Sequence, residues 1–251
     1  MRRPIIIGNW KMNNTVSESI RLITELKGML SGKQEAEVAV APSMVCLHPC
    51  EIALSETSIG LVAQNVYFEE KGAFTGEISA SMLLDLNCKY VIVGHSERRQ
   101  YFFETDEVIN KKVKSVLEHE MSPILCIGEQ LAQREEGKTL SVVEDQLRIC
   151  LRGVHDEQAE RVVVAYEPVW AIGTGKAATP EMAQQVHHYI RSSLVFMYSK
   201  IVASAMRFVY GGSVSSKNIG AFMKLQDVDG ALVGGASLDA QSFVDIIQYG
   251  E

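Results

Sequence analysis

The chain has 251 residues, of which 47% are hydrophobic and 22% are charged, so its composition excludes a disordered or fibrous protein and allows a large buried core. Lys and Arg number 24 against 31 Asp and Glu, which gives a formal net charge of −7. Because nonspecific nucleic-acid affinity comes from clustered basic residues, this balance predicts no nucleic-acid partner, although it leaves room for a local anion site.

The N-terminal segment and the cysteines bear on cellular location. Only three apolar residues, Ile5–Ile7, precede Gly8, which is too few for the apolar region of a signal peptide. Nowhere do about 18 apolar residues run together, so we predict no membrane association. The five cysteines are odd in number and lack a zinc-ribbon spacing, which is typical of reduced thiols. These features predict a cytoplasmic protein.

Eight short apolar runs, rich in β-branched residues, recur along the chain. Each is continuous rather than alternating, as expected of strands that are buried on both faces. The runs are Ile5–Ile7, Val38–Ala41, Gly60–Ala63, Tyr90–Val93, Ile124–Ile127, Val162–Ala165, Phe208–Tyr210 and Ala231–Val233. We predict a strand at each of them.

Segments with helical periodicity separate these strands. Examples are the apolar sets Ile20/Ile23/Leu26/Leu30, Ile109/Val113/Val116 and Met182/Val186/Ile190/Leu194. Three helix starts are predicted from capping signals, namely Thr15-x-x-Glu18, Ser141-x-x-Glu144 and Thr179-Pro180. A last helix is predicted through Phe243, Ile246 and Ile247.

The regular alternation predicts the fold. Eight strand and helix pairs, without a linker or a break in composition, indicate one domain over residues 1–251, a closed (β/α)8 barrel with eight parallel strands. The alternative is a doubly wound open sheet. That fold usually has Gly-x-Gly-x-x-Gly after its first strand, whereas here Gly8-Asn9-Trp10-Lys11 follows, so the barrel is favoured.

Two glycine pairs follow the last two predicted strands, in Gly211-Gly212-Ser213 and in Gly234-Gly235-Ala236-Ser237. The loops after the strands form the active face of a (β/α)8 barrel. Glycine lets the backbone approach a ligand and present N–H groups, and a helix that starts just beyond favours an anion. Either pair alone would more simply be a strand-to-helix turn, but two pairs at this position predict a phosphate-binding site.

Three side chains at predicted strand ends have acid–base or electrostatic chemistry. Lys11 could hold an anionic substrate and stabilise developing negative charge. His95 directly precedes a predicted helix start, whose positive end favours a neutral imidazole that can donate to a carbonyl. Glu167, before Pro168, could act as a general base. Each residue alone would be interpreted as an ordinary surface or core side chain.

The stretch 168–178 has bulky or stiff residues at its front, a small apolar tip and glycines behind, which indicates a hinged lid or else an ordinary mobile loop. Motifs for other chemistries are incomplete. Gly175-Lys176-Ala177 lacks the hydroxyl residue of a P-loop, His95-x-Glu97 lacks the cysteine pair of a zinc deaminase, and His119-Glu120 lacks a second histidine. We predict no metal site.

Taken together, the motifs resemble the triosephosphate isomerase family over essentially the whole chain. They are Gly8–Asn13, Ala63–Asn65, Gly72–Glu77, Gly94–Arg99, Cys126–Glu129, Tyr166–Lys176, Tyr210–Val214 and Val233–Ala236. A minor departure is Ala177-Ala178, where many members have a hydroxyl residue first.

The resemblance implies a TIM barrel that interconverts dihydroxyacetone phosphate and glyceraldehyde 3-phosphate without a cofactor, in glycolysis and gluconeogenesis. It implies that Glu167 abstracts a carbon-bound proton and that neutral His95 polarises the carbonyl and moves protons between the oxygens. Lys11 with Asn9 would stabilise the enediolate, and Glu97 would be the carboxylate partner of the lysine.

The resemblance also implies a phosphate site and a partner. The phosphate would contact backbone N–H groups of Gly173, Ser213, Gly234 and Gly235. The Gly72–Glu77 loop would enter a second copy of the chain, with Thr75 near the other active site, which implies a homodimer.

Two other functions remain open at this point. In an aldolase, Lys11 would form a Schiff base, which requires an apolar or cationic setting rather than a carboxylate neighbour. A sugar-phosphate binding protein would have the same glycine-rich loops without the chemistry.

Overall fold

Eight parallel strands close into a barrel in a computed structural model that describes residues 2–30, 32, 34–172 and 178–250. The strands are β1 (Ile5–Asn9), β2 (Glu37–Ala41), β3 (Gly60–Ala63), β4 (Tyr90–Val93), β5 (Ser122–Ile127), β6 (Val163–Tyr166), β7 (Arg207–Tyr210) and β8 (Gly230–Val233). Each strand pairs with the next one along the chain, and β8 pairs with β1. The prediction of a (β/α)8 barrel is confirmed, and the open doubly wound sheet is wrong.

Helices follow the strands. They are α1 (Val16–Met29), α2 (Leu47–Leu54), α3 (Ala80–Asp85), α4 (Ser96–Tyr101), α5 (Asp106–Glu118), α6 (Leu131–Glu135), α7 (Thr139–Cys150), α8 (Asp156–Ala159), α9 (Pro180–Met197), α10 (Lys200–Ala205), α11 (Ile219–Met223) and α12 (Ala240–Ile247). In the described part of the chain, none of them has both the length and the apolar character of a membrane span.

Two of the three predicted helix starts are confirmed. Thr15 and Glu18 form a capping box at α1, and the Thr179 side chain accepts from the Met182 backbone N–H with Pro180 in the first turn of α9. The prediction at Ser141 is wrong, because α7 already begins at Thr139. Ser141 therefore lies inside the helix, where its hydroxyl donates to the Lys138 carbonyl at 2.9 Å.

Strand side chains alternate between two apolar layers. In β1, Ile5 and Ile7 belong to the cluster inside the barrel, whereas Ile6 packs in the outer cluster with residues of the helices, such as Phe243 of α12. Both faces of each strand are thus buried, which explains the continuous apolar runs in the sequence. This packing fixes the strand ends and the loops that follow them.

A polar cluster closes the N-terminal end of the barrel. Glu37, Tyr90 and Arg207 are the first residues of β2, β4 and β7. The Glu37 carboxylate accepts from the Tyr90 hydroxyl at 2.9 Å and from Arg207 Nη1 at 2.8 Å, and Lys89 also pairs with it. Burial raises the pKa of Glu37, but the hydrogen bonds from Lys89 and Arg207 outweigh that effect and bring the pKa to about 2.

Candidate active site

A cavity of about 260 Å³ lies at the opposite, C-terminal end of the strands. It brings together seven of the predicted site residues, which line its wall: Asn9, Lys11, His95, Glu167, Ser213, Gly234 and Gly235. Gly173 and the other residues from 173 to 177 lie outside the described residues, so the structure does not bear on the predicted lid tip or on the Gly173 contact.

His95 is the residue that precedes helix α4, as predicted, and its ring is buried. Its Nδ1 accepts a hydrogen bond from the Glu97 backbone N–H at 3.2 Å, one of the free donors of the first helical turn. An Nδ1 that accepts leaves Nε2 as the ring nitrogen that can donate. Nε2 lies 3.0 Å from Oε1 of Glu167.

The carboxylate of Glu167 is also buried, directly after β6. Its Oε2 accepts from the Ser96 backbone N–H at 2.9 Å, at the start of α4. Two glycines make room for this residue: a Cβ at Gly211 would lie 2.9 Å from Glu167 Cγ, and one at Gly128 would lie 1.7 Å from the Glu167 carbonyl oxygen. The backbone around Glu167 is therefore tightly determined.

Lys11 occupies the left-handed region of backbone conformation, with φ 54°. Neighbouring amides hold it there: its N–H donates to Asn9 Oδ1 at 3.1 Å, and Gln64 Nε2 donates to its carbonyl at 2.8 Å. The ammonium pairs with Glu97 at 2.7 Å, and the side chain passes beside Gly234. A strained backbone fixed by several partners is typical of a functional position.

The glycine-rich loops after β7 and β8 form one side of the same cavity. A Cβ at Gly212 would lie 2.2 Å from the Tyr210 hydroxyl, whereas one at Gly235 would meet nothing within 4 Å. The first glycine is therefore required by packing, and the second leaves its backbone accessible from the cavity. After β8, a 3-10 turn over Gly235–Leu238 follows at once. After β7, the next helix, α11, begins only at Ile219.

Sequence reasoning assigned no role to two residues that support this site. Gln64 holds the Lys11 backbone, and Glu129, which is fully buried, accepts from Trp170 Nε1 at 2.8 Å and lies 3.1 and 3.2 Å from the Tyr166 hydroxyl. Gln64 comes directly after β3 and Glu129 two residues after β5, in motifs that the family resemblance already contained. Applying the strand-end rule to every loop would have found them.

The five cysteines are free and buried. Cys126 lies in the cluster inside the barrel, and burial raises the pKa of its thiol well above the ordinary value. It therefore packs as an apolar side chain. Among the described residues, no three or more His, Cys, Asp or Glu side chains are grouped as a metal site.

The fold and the cavity define an enzyme of the (β/α)8-barrel class with its polar residues at the C-terminal ends of the strands. The family model for triosephosphate isomerase matches residues 4–250. A protein from Caldanaerobacter subterraneus, named triosephosphate isomerase, is 54% identical over 99% of this chain and 100% of its own length. Proteins of the same name from Endomicrobium trichonymphae and Chloroherpeton thalassium are 51% and 50% identical, over 99% or more of both chains. The chain belongs to the triosephosphate isomerase family.

Proposed function

We propose that this protein interconverts dihydroxyacetone phosphate and glyceraldehyde 3-phosphate through an enediolate intermediate, in glycolysis and gluconeogenesis. The observation that carries the proposal is the 3.0 Å approach of Glu167 Oε1 to His95 Nε2 in a cavity that Lys11 also lines. A base, a neutral proton donor and a cation then face one substrate. Membership of the family supports the same reaction.

In this mechanism Glu167 removes a proton from the substrate carbon. Before substrate binds, its oxygens contact Ser96 N–H and His95 Nε2, so the reaction requires Glu167 to exchange these partners for the carbon-bound proton. Its burial keeps water away from the carboxylate, which strengthens its interactions with charge that develops nearby. The same carboxylate then returns the proton to the neighbouring carbon.

His95 and Lys11 handle the oxygens. The Nε2 proton of neutral His95 is donated to the carbonyl, and the ring then moves protons between the two oxygens. The Lys11 ammonium, with the Asn9 amide, stabilises the negative charge of the enediolate. The Lys11 ammonium lies 2.7 Å from a Glu97 carboxylate oxygen, whereas a Schiff-base lysine requires an apolar or cationic setting, so this contact argues against an aldolase.

The phosphate of the substrate would lie against the glycine-rich loops, where we propose that the backbone N–H groups of Ser213, Gly234 and Gly235 bind it. These residues line the same cavity as Glu167 and His95. Gly173 stays a predicted fourth contact outside the described residues. Backbone donors explain how a chain of net charge −7 binds a dianion without a basic surface.

We also propose a homodimer. The Gly72–Glu77 loop is exposed throughout, Phe74 at its tip is 40% exposed, and Met12, Val45 and Phe102 are more exposed still. A groove of about 450 Å³ beside the active site is lined by Met12, Phe102 and Lys11 among others. Entry of the partner's loop, with Thr75, into this groove would cover the apolar residues. Sedimentation should then give twice the 27.7 kDa chain mass.

We further propose that residues 1–251 form a single domain and that the protein is cytoplasmic. The closed ring of strands from β1 to β8 supports one domain. The buried free thiols and the family's glycolytic reaction support the location.

A coupled assay of purified protein with dihydroxyacetone phosphate tests the function. We expect glyceraldehyde 3-phosphate to form with no metal or cofactor beyond those that the coupling enzyme needs. Binding of the substrate without turnover would instead indicate a sugar-phosphate binding protein. Borohydride trapping of a substrate adduct on Lys11 would indicate an aldolase.

A further inference from the structure

The segment that carries Glu167 is held by a neighbouring buried carboxylate. Glu129 follows β5, and its side chain accepts from Trp170 Nε1 and contacts the Tyr166 hydroxyl, while its backbone oxygen accepts from Val169 N–H at 3.2 Å. These three groups lie on both sides of Glu167 in the chain. Glu129 therefore fixes the backbone that aims Glu167.

A fully buried carboxylate is costly unless a cation pairs with it. Among the described residues, the ion-pair partner of Glu129 is Arg134 of the short helix α6, with Nη1 3.4 Å from Oε1. Arg134 makes two further contacts. Its guanidinium carbon lies 4.4 Å from the centroid of the Trp170 ring, and its Nη2 lies 3.2 Å from the sulfur of Met182, near the start of α9.

These contacts form a closed triangle. Arg134 stacks on the Trp170 ring, Trp170 donates to Glu129, and Glu129 pairs with Arg134. Arginine suits this place because its planar group can stack on an aromatic face while its edge reaches a carboxylate. Both partners of Arg134 connect it with the segment around Glu167, because Trp170 belongs to that segment and Glu129 is bonded to it. An ordinary surface arginine would have no such connection.

We propose that Arg134 is a positioning residue for Glu167, an inference that rests on the proposed isomerase function. Arg134 does not line the substrate cavity. It pairs with Glu129 and stacks on the Trp170 ring, and it thereby holds the turn after β6 in the position from which Glu167 exchanges its resting partners for the substrate proton. Small displacements of a base lower turnover steeply, because proton transfer requires a close and well-aligned approach.

Kinetics of three variants test this role. Arg134→Met keeps an apolar stem but removes the charge and the planar face, and we expect kcat to fall about tenfold with little change in KM. Arg134→Lys keeps the charge without the planar face and should give an intermediate value. The matched control is Arg148→Met, which removes an exposed arginine paired with Asp145 on α7 and should leave both constants unchanged.

A spectroscopic measurement separates positioning from general stability. The chain has two tryptophans, so 5-fluorotryptophan labelling gives one 19F signal for Trp170 and one for buried Trp10. In Arg134→Met the Trp170 signal should broaden or split, as expected of a ring with more than one position, while the Trp10 signal stays in place. A merely structural role would lower the melting temperature and leave kcat as in the wild type, and the Trp170 signal would shift without broadening because its cationic neighbour is gone.

A double-mutant cycle completes the test. If Arg134 acts through these two partners, Arg134→Met should lower kcat by a much smaller factor in a Glu129→Gln, Trp170→Leu background, which lacks both the carboxylate and the aromatic face, than in the wild type. An unchanged kcat in Arg134→Met, or an undiminished loss in that background, would overturn the inference. Wild-type turnover in the same assay separates these outcomes from failure of the proposed function, which would leave the wild type inactive too.

Discussion

The two ends of the barrel use charged residues in opposite ways. At the N-terminal end, Glu37 is paired with Arg207 and bonded to Tyr90, so the charges satisfy one another and close the barrel. At the C-terminal end, Glu167 and Lys11 line a cavity of about 260 Å³, and each has one face toward it. The same eight strands thus support a stabilising cluster at one end and a reactive site at the other.

The difference comes from what holds the charged groups. The N-terminal cluster is built from the first residues of β2, β4 and β7, and strand pairing brings them together. The C-terminal residues lie in loops or just beyond the strands, and backbone amides hold them, as Ser96 N–H holds Glu167 and Glu97 N–H holds His95. Changes at the first end should therefore affect stability, and changes at the second should affect turnover.

Glu167→Ala should change turnover more than any other substitution at either end of the barrel. Removing the proposed base should lower kcat on the order of 10³- to 10⁴-fold, while affinity for a phosphate-containing inhibitor changes little. Steady-state kinetics and inhibitor titration measure both. Glu160→Ala, which removes an exposed carboxylate after α8, is the control and should behave as the wild type. Normal turnover of Glu167→Ala would remove Glu167 from the mechanism.

Glu37→Gln tests the other end. It keeps the size of the side chain but leaves Arg207 and Lys89 without their carboxylate, so the free energy of unfolding should fall by about 3 kcal/mol. Urea unfolding measures this change. Below the melting temperature kcat and KM should stay as in the wild type. A large loss of turnover in the folded variant would show that the two ends are not independent.

His187 belongs to neither end, because it is buried between α9 and the strands, against Tyr166 and Phe208. Burial lowers its pKa to about 4. The unfolded chain takes up this proton near pH 6.5. The contribution of neutral His187 to the free energy of unfolding is therefore complete above that pH and decreases as the pH drops toward 4. The loss between pH 7 and pH 5 should be about 2 kcal/mol from this group.

Urea unfolding of the wild type and of His187→Gln at pH 7, 6 and 5 checks the assignment. The variant should lose less stability than the wild type across this range, whatever its stability at pH 7. Equal losses in both proteins would mean that the acid sensitivity arises elsewhere.

The smallest expected effect distinguishes two helix starts. Thr15→Ala removes a helix cap and should lower the free energy of unfolding by about 1 kcal/mol. Ser141→Ala, within α7, removes only the hydrogen bond to the Lys138 carbonyl, so it should lower the free energy of unfolding by much less than Thr15→Ala does. Thermal unfolding of the two variants compares them, and equal shifts would contradict the observed start of α7.

Much of the fold can be predicted from the sequence because both faces of each strand are buried. The run Tyr90–Val93 matches β4 residue for residue. Strand ends are harder: β1 continues to Asn9 through backbone pairing with β2, although neither Gly8 nor Asn9 extends the apolar run. The start of α7 is not predictable from capping signals, because Lys138 precedes it and makes no side-chain capping bond, whereas Ser141-x-x-Glu144 has the pattern of a cap.

Much of the candidate site follows from one rule, that polar residues after barrel strands face the active end, and this rule finds Lys11, His95 and Glu167. Arg134 escapes it because it lies on a helix and acts through tertiary contacts. The N-terminal cluster escapes it as well, since Glu37 and Arg207 lie 170 positions apart in the chain and meet only when the barrel closes. Sequence patterns report local structure, and these contacts are not local.

Proton transfer at carbon by the C-terminal end of the barrel is tested by NMR of dihydroxyacetone phosphate incubated with the wild-type protein in D2O. We expect conversion to glyceraldehyde 3-phosphate with deuterium at the carbon that exchanges its proton, and loss of both signals in Glu167→Ala. Substrate that binds to the wild type but shows neither conversion nor deuterium at carbon would contradict it.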